Sequence, residues 1–205
     1  MKVEILYNNF KRIIEEFLKE NVSEEVEEHI FYTMYLSGIS RALLQELVRH
    51  QHLISYSVKS TRYTLKELKS EESFTNGMTM NELLEKYKNP TEVYADIHMV
   101  RASNYLVWTN VLSVDFASIV ALENLRLILI SGVANDRAKF CLPESYKTEL
   151  TLTINIRALK NFIHLRSSKS ALWEIRDLAN MIYNSLPEDH KYIFEGSLVK
   201  ENDEH

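Results

Sequence analysis

Four glycines, at positions 38, 77, 132 and 196, are all that this 205-residue chain contains. They stand too far apart to build a G-x-G-x-x-G turn or a Walker loop. Such turns need closely spaced residues without a Cβ, so that backbone can approach phosphate. A doubly wound nucleotide-binding sheet is therefore not expected. Any nucleotide held by this chain must be held by side chains and helix ends.

Periodicity predicts a short strand over 2–6 and a helix over 9–20. HIFYTMYLS, His29–Ser37, is β-branched and aromatic, and it alternates through Ile30, Tyr32, Met34 and Leu36, which predicts a strand. Ser37 or Ser40 caps a helix over RALLQELVRH, with Ala42, Leu43 and Leu47 on its buried stripe. TLKELKSEESFTNGMTM begins as a loop or short helix. A helix over 80–88 ends at Pro90, and another spans 92–112. A long helix over 115–131 carries Ala117, Val120, Ala121, Leu125 and Ile128 at helical spacing. The alternating strand Leu150–Ile154 precedes a helix over 157–165. Ser168 or Ser170 caps the last long helix, whose stripe is Leu172, Ile175, Leu178, Ala179 and Ile182. The charged tail VKENDEH is expected to fray. Helices dominate, and strands and helices do not alternate regularly. The expectation is an α+β fold, a small antiparallel or mixed sheet flanked by long helices, in a single domain over 1–205.

A net charge of −5 repels nucleic acid, so a phosphate site must be local and built from placed arginines. The single cysteine, Cys141, excludes a disulfide framework and any multi-cysteine metal site. It has no basic neighbour in sequence to activate it, and a buried structural thiol is expected. The opening MKVEILYNNFKRIIEEF has no apolar core and no small-residue cleavage site, and no run approaches the roughly eighteen apolar residues of a membrane span. The chain reads as cytoplasmic, with neither a membrane nor a nucleic acid as partner.

Two segments concentrate polar chemistry. RHQHLISYSVKSTRY, Arg49–Tyr63, holds two arginines, two histidines and three serines. A guanidinium is planar and forked, and it matches phosphate oxygens in pairs. Ser60 and Arg62 are two apart, so an extended segment would point them the same way. On spacing alone the plainer reading is that Arg49 complements its helix C-terminus and Arg62 pairs with a surface acid. In NIRALKNFIHLRSSKSALWEI, Asn155–Ile175, Arg157 and Asn161 share a helical face that His164 extends. Ala158, Phe162 and Leu165 lie on another face, and Arg166 comes where the helix should end. Taken alone, that polar face reads as solvated. His50-x-His52 lacks a nearby acid or cysteine, so no metal site is expected. EEVEEH, Glu24–His29, reads as a solvated acidic surface.

Together these segments resemble the flavin-dependent thymidylate synthases, the ThyX family. That family's signature is Arg-His-Arg-x-x-Ser, four residues, then Ser-x-Arg. Arg49 and His50 open it here, and Ser55, Ser60 and Arg62 close it. LPESYKTELTLTINIRALKNFIHLRSSKSALWEI resembles the family's C-terminal block, in which Asn-x-Arg, then Asn, then an Arg before the final helix recur. SVKSTRYTLKEL is similar to one branch of the family. The similarity covers 29–69 and 115–195. Two separated motifs in the right order outweigh the plainer reading of each. The resemblance implies a ThyX-like fold and the reductive methylation of dUMP to dTMP without a cysteine nucleophile. It implies FAD as cofactor, NADPH and methylenetetrahydrofolate as co-substrates, and a homotetramer with shared active sites. It also implies roles for residues. Arg166 is the catalytic candidate, contacting the uracil ring. Glu46, Arg49, Ser60, Arg62 and Lys139 hold dUMP with it. His50, Gln51, Asn155, Arg157 and Asn161 hold FAD. Lys139 stands where many members have arginine.

The chain departs from the pattern at three points. The third signature position is Gln51, which cannot supply a charged fork. HLI stands where the family has two residues before Ser55. The extra residue either bulges the loop or shifts the Arg49–His50 pair, and an alternative alignment puts His52 third and loses Arg49 from the first position. The region before His29 is short, with Ser23 and Glu25 where a His-x-Ser/Thr contact to FAD is usual. These departures hold open a second reading, a non-catalytic homologue that binds a pyrimidine nucleotide or partners another synthase subunit.

Overall fold

The computed structural model describes residues 1–17 and 24–199 and, within them, the side chains of all but residues 16, 17, 24, 25 and 61–63. The expected helix end at 18–20, Ser23, the side chain of Glu25 and the tail at 200–205 lie outside the described residues. In chain order the elements are β1 (Lys2–Asn8), α1 (Phe10–Phe17), α2 (Glu24–Glu27), β2 (Phe31–Ser40), α3 (Arg41–Leu47), β3 (Ile54–Val58) and α4 (Thr61–Leu68). Then come α5 (Met80–Lys86), α6 (Pro90–Ala95), α7 (Ile97–Ala102), α8 (Leu112–Ile130) and α9 (Asn135–Ala138). Last are β4 (Lys147–Asn155), α10 (Ile156–Ser167) and α11 (Trp173–Ser185), with 3-10 turns at Lys139–Cys141 and Glu188–Phe194. The chain forms two compact units.

The first unit, Met1–Ile39, Leu43–Val58 and Glu149–His205, carries the four-stranded sheet in the order β1-β2-β4-β3. β1 runs antiparallel to β2 with Ile5 opposite Met34, and β3 antiparallel to β4 with Tyr56 opposite Leu152. The alternation read from β2 is the burial pattern: Tyr32, Met34 and Leu36 are fully enclosed. They pack with Leu152 and Ile154 of β4, with Leu159, Phe162 and Ile163 of α10, and with Ile175, Leu178 and Ile182 of α11. Each such side chain contributes roughly 1.5–3 kcal/mol when fully buried. The sheet and these helices form the two layers of an α+β fold. β3 was not expected as a strand. Its sequence, ISYSV, is short and half polar, and its ladder comes from pairing with β4. Leu165, expected to pack with Phe162, is exposed instead, and Ile163 takes its place in the core.

The second unit, Ser40–Ala42 and Lys59–Thr148, is almost wholly helical. Its core gathers Phe116, Ile119, Leu122, Leu125 and Leu129 of α8 with Leu65, Phe74 and Leu83. The buried stripe of α8 is thus turned from the expected one, and Ala117 lies exposed. The turn buries a charged pair. Arg126 donates to both oxygens of Glu123 at 2.7 and 2.9 Å, and Glu123 also accepts from Ser73 Oγ and Phe74 N. The helix expected over 92–112 is broken. Asp96 caps α7 by accepting from His98 N at 2.9 Å, and the helical chain stops at Ala102. Pro90 opens α6 behind the Asn89 cap, so it starts a helix rather than only ending one.

Candidate functional site

The site begins where α3 ends. Tyr56 of β3 donates its hydroxyl to the carbonyls of His50 and Leu47, at 2.7 and 2.9 Å, and this pins the turn that follows the helix. The turn sets His50 edge-on to the buried Phe162 ring, with centroids 5.1 Å apart. Arg166, near the end of α10, then donates from Nε to His50 Nε2 at 2.9 Å and from Nη1 to Glu46 at 3.3 Å. Glu46 also accepts from Arg49 at 3.3 Å. One carboxylate and one imidazole therefore orient the Arg166 guanidinium. Because Nε2 accepts from a guanidinium, the imidazole must be neutral there. Burial, then the charges of Arg166 and Arg49, push His50 below its ordinary value, against the opposing pull of Glu46.

Beside this cluster lies a cavity of about 300 Å³. One wall is the loop from Arg49 to Ile54, and the other is Arg157, Ala158 and Asn161 from the first turns of α10. Asn155 caps that helix, accepting from Ala158 N at 2.9 Å and donating to the Glu28 carbonyl at 3.2 Å. The helix start thus presents its positive end to the cavity region. Arg157 pairs with Glu28, and Lys160 with the buried Glu27 at 2.8 Å. The acidic run EEVEEH is therefore not only a solvated surface, since two of its members hold α10. In the loop before Ser55, His50 contacts Arg166 and Tyr56, Ile54 pairs opposite Ile154, and Leu53 takes up a left-handed φ of 59°. His52 and Leu53 line the cavity with Gln51; the alternative alignment brings His52 to the signature, and no sequence feature marks Leu53.

The structure thus brings together His50, Gln51, Arg157 and Asn161 around one cavity, with Arg49 in its wall and Glu46 and Arg166 bonded to its members. Asn155 is 5% exposed and uses both ends of its amide in the cap. Ser60, Arg62 and Lys139 belong to the second unit. Ser60 is the N-cap residue of α4 and makes no side-chain cap bond. Arg62 is already helical, so the extended geometry expected for this pair does not occur; its side chain lies outside the described residues. Lys139 is exposed in the 3-10 turn, and Cys141 beside it is exposed rather than buried. His164 is exposed on α10 and is not part of the cavity wall. Glu28, the partner of Arg157, lies 129 residues away in sequence, which no local pattern could reveal.

Comparison with known proteins identifies the family. The family model of the thymidylate synthase complementing protein matches residues 3–190. The chain is similar to the flavin-dependent thymidylate synthase of Wolinella succinogenes, 51% identical over 184 residues, which cover 90% of this chain and 80% of that protein. It is 56% identical over 174 residues to that of Campylobacter jejuni strain RM1221, covering 85% and 74%. Its fold is similar to a crystal structure of thymidylate synthase X from Helicobacter pylori with FAD and dUMP, with a TM-score of 0.76 and 34% identity over 98% of this chain and 100% of that one. No helix among the described residues is long and apolar enough to cross a membrane. The chain belongs to the thymidylate synthase complementing protein family, the flavin-dependent thymidylate synthases.

Proposed function

We propose that this chain is a flavin-dependent thymidylate synthase that methylates dUMP reductively to dTMP. The observation that carries the reading is the Glu46–Arg166–His50 cluster beside a cavity edged by Arg157 and Asn161. The cavity suits a flavin dinucleotide in chemistry: two guanidiniums, two imidazoles and two side-chain amides serve a pyrophosphate and the polar edges of a ring. FAD, reduced by NADPH, supplies the hydride, and methylenetetrahydrofolate supplies the one-carbon unit. To FAD we assign His50, Gln51, Arg157 and Asn161, with Asn155 acting through the helix it caps. To dUMP we assign Glu46, Arg49, Ser60, Arg62, Lys139 and Arg166. A carboxylate next to a guanidinium matches the acceptor–donor–acceptor edge of uracil, and Glu46 with Arg166 offers that pair. Arg166 is the catalytic residue. Its fixed charge polarises the ring carbonyl and stabilises negative charge that develops there.

We further infer a homotetramer with shared active sites. A volume of about 300 Å³ lies at the lower end of small-molecule pockets and has room for part of a dinucleotide only. Leu127 and Ile130, three apart on α8, are each about half exposed and offer an apolar strip for a neighbouring protomer. Although the chain divides into two units, β2, α3 and β4 each have residues in both, and we regard residues 1–205 as one functional domain. An exposed, unpaired Cys141 suits the reducing cytoplasm.

The test is direct. Incubated with dUMP, methylenetetrahydrofolate, NADPH and FAD, the protein should yield a nucleotide one CH2 heavier, read by mass spectrometry. Bound nucleotide without product would instead support the non-catalytic homologue.

A further inference from the structure

We infer that His52, not Gln51, supplies the cation that the third position of the Arg-His-Arg-x-x-Ser signature brings to the flavin cofactor, and that Gln51 is the inserted residue. The inference rests on the reading of this cavity as the FAD site. Removing Gln51 from the sequence leaves Arg49, His50, His52, Leu53, Ile54 and Ser55, which restores the spacing of the signature with an imidazole in place of its second guanidinium.

The geometry of the loop fits an inserted residue. Both ends of the loop are fixed: His50 by Arg166 and by the Tyr56 hydroxyl, Ile54 by its place opposite Ile154. Three residues must close the span between, and the turn at His52 and Leu53 does so by placing Leu53 in the left-handed region at φ 59°. A leucine gains nothing from that conformation, in which its Cβ crowds the following carbonyl oxygen. The bulge leaves Gln51 and His52 both exposed and both on the cavity wall. Of the two, only histidine can carry a positive charge, and a charged donor binds phosphate oxygen about twice as strongly as a neutral amide. The other charged and titratable groups around the cavity are Arg49 and His50 from the end of α3 and Arg157 from α10, with Glu46 and Glu28 behind the two arginines.

The experiment is a titration of the full-length protein with oxidised FAD, followed by quenching of flavin fluorescence at pH 6 and pH 8.5, with circular dichroism to verify folding. His52→Ala should weaken binding about tenfold or more at pH 6. Gln51→Ala should weaken binding less than His52→Ala does. His52→Arg should bind tightly at both pH values. If His52→Ala binds FAD like the unaltered protein, or if Gln51→Ala is the variant that loses affinity, the inference is overturned. If the unaltered protein does not bind FAD at either pH, the reading of the cavity itself fails, and the inference with it.

Discussion

Arg166 donates to an imidazole and to a carboxylate, which leaves three of its five N–H groups without a partner among the described residues. A guanidinium held this way is oriented before substrate arrives, and pre-oriented charge is what stabilises a developing anion. Arg166→Ala should lower turnover by about 10²–10³-fold with the fold retained, checked by dTMP formation and circular dichroism. Arg166→Lys should recover little, because a single ammonium cannot serve His50, Glu46 and a ring together. Asn155 tests a different role. Asn155→Ala removes an N-cap and should cost about 1 kcal/mol in urea unfolding, whereas Asn155→Asp keeps an acceptor and most of the stability. These residues were legible as a motif before they were legible as a geometry. The spacing of Arg157 and Asn161 put them on one helical face, and they are found on one cavity wall. Nothing local announces the pairing of Arg157 with Glu28 or of Lys160 with Glu27, because those partners come from another element. The left-handed backbone of Leu53 is equally silent, since leucine does not signal such a turn.

At the scale of elements, the strands with clean alternation were readable and the one without it was not. β2 and β4 bury every second side chain, whereas β3 exists because β4 offers it a ladder. The break between α6 and α7 had a local signal in Asp96, whose carboxylate accepts from two backbone N–H groups, but the apolar residues around it suggested one continuous helix. The rotation of α8 has a physical cause that single-helix periodicity cannot contain. Glu123 and Arg126 face inward because they satisfy each other, and Glu123 also accepts from the Ser73 hydroxyl and the Phe74 N–H. Burial acts to raise the Glu123 carboxyl, but Arg126 and the Phe74 and Ser73 donors outweigh it and hold the carboxyl below its ordinary value. Removing one partner strands the other in the core, so Glu123→Ala should destabilise by about 3–5 kcal/mol. Chemical denaturation would measure it. A loss below about 1 kcal/mol would mean that water reaches the pair.

For the whole molecule, two histidines set an acid limit. His190 stacks on Phe10 with ring centroids 3.7 Å apart and shares a hydrogen bond with the Tyr32 hydroxyl at 2.8 Å. Burial pushes it below its ordinary value, against the opposing charge of Asp189, and His50 is lowered as well. Groups depressed in the folded state bind fewer protons than in the unfolded chain. Stability should therefore be full above about pH 6.5 and fall as the pH drops through their lower folded values. Melting temperature measured from pH 8 to pH 5 should show that decline, and His190→Gln should make it shallower. Association is tested separately. Leu127→Asp with Ile130→Asp should convert the proposed tetramer to smaller species in light scattering, and an unchanged mass would remove α8 from the proposed interface. The most direct test of the central claim is a crystal structure of the protein with FAD and dUMP. The account predicts flavin dinucleotide density against Arg157, Asn161 and His52, with the Arg166 guanidinium in hydrogen-bond reach of the pyrimidine. FAD bound away from that cavity, or Arg166 still committed to His50 and Glu46 with the pyrimidine elsewhere, would contradict it.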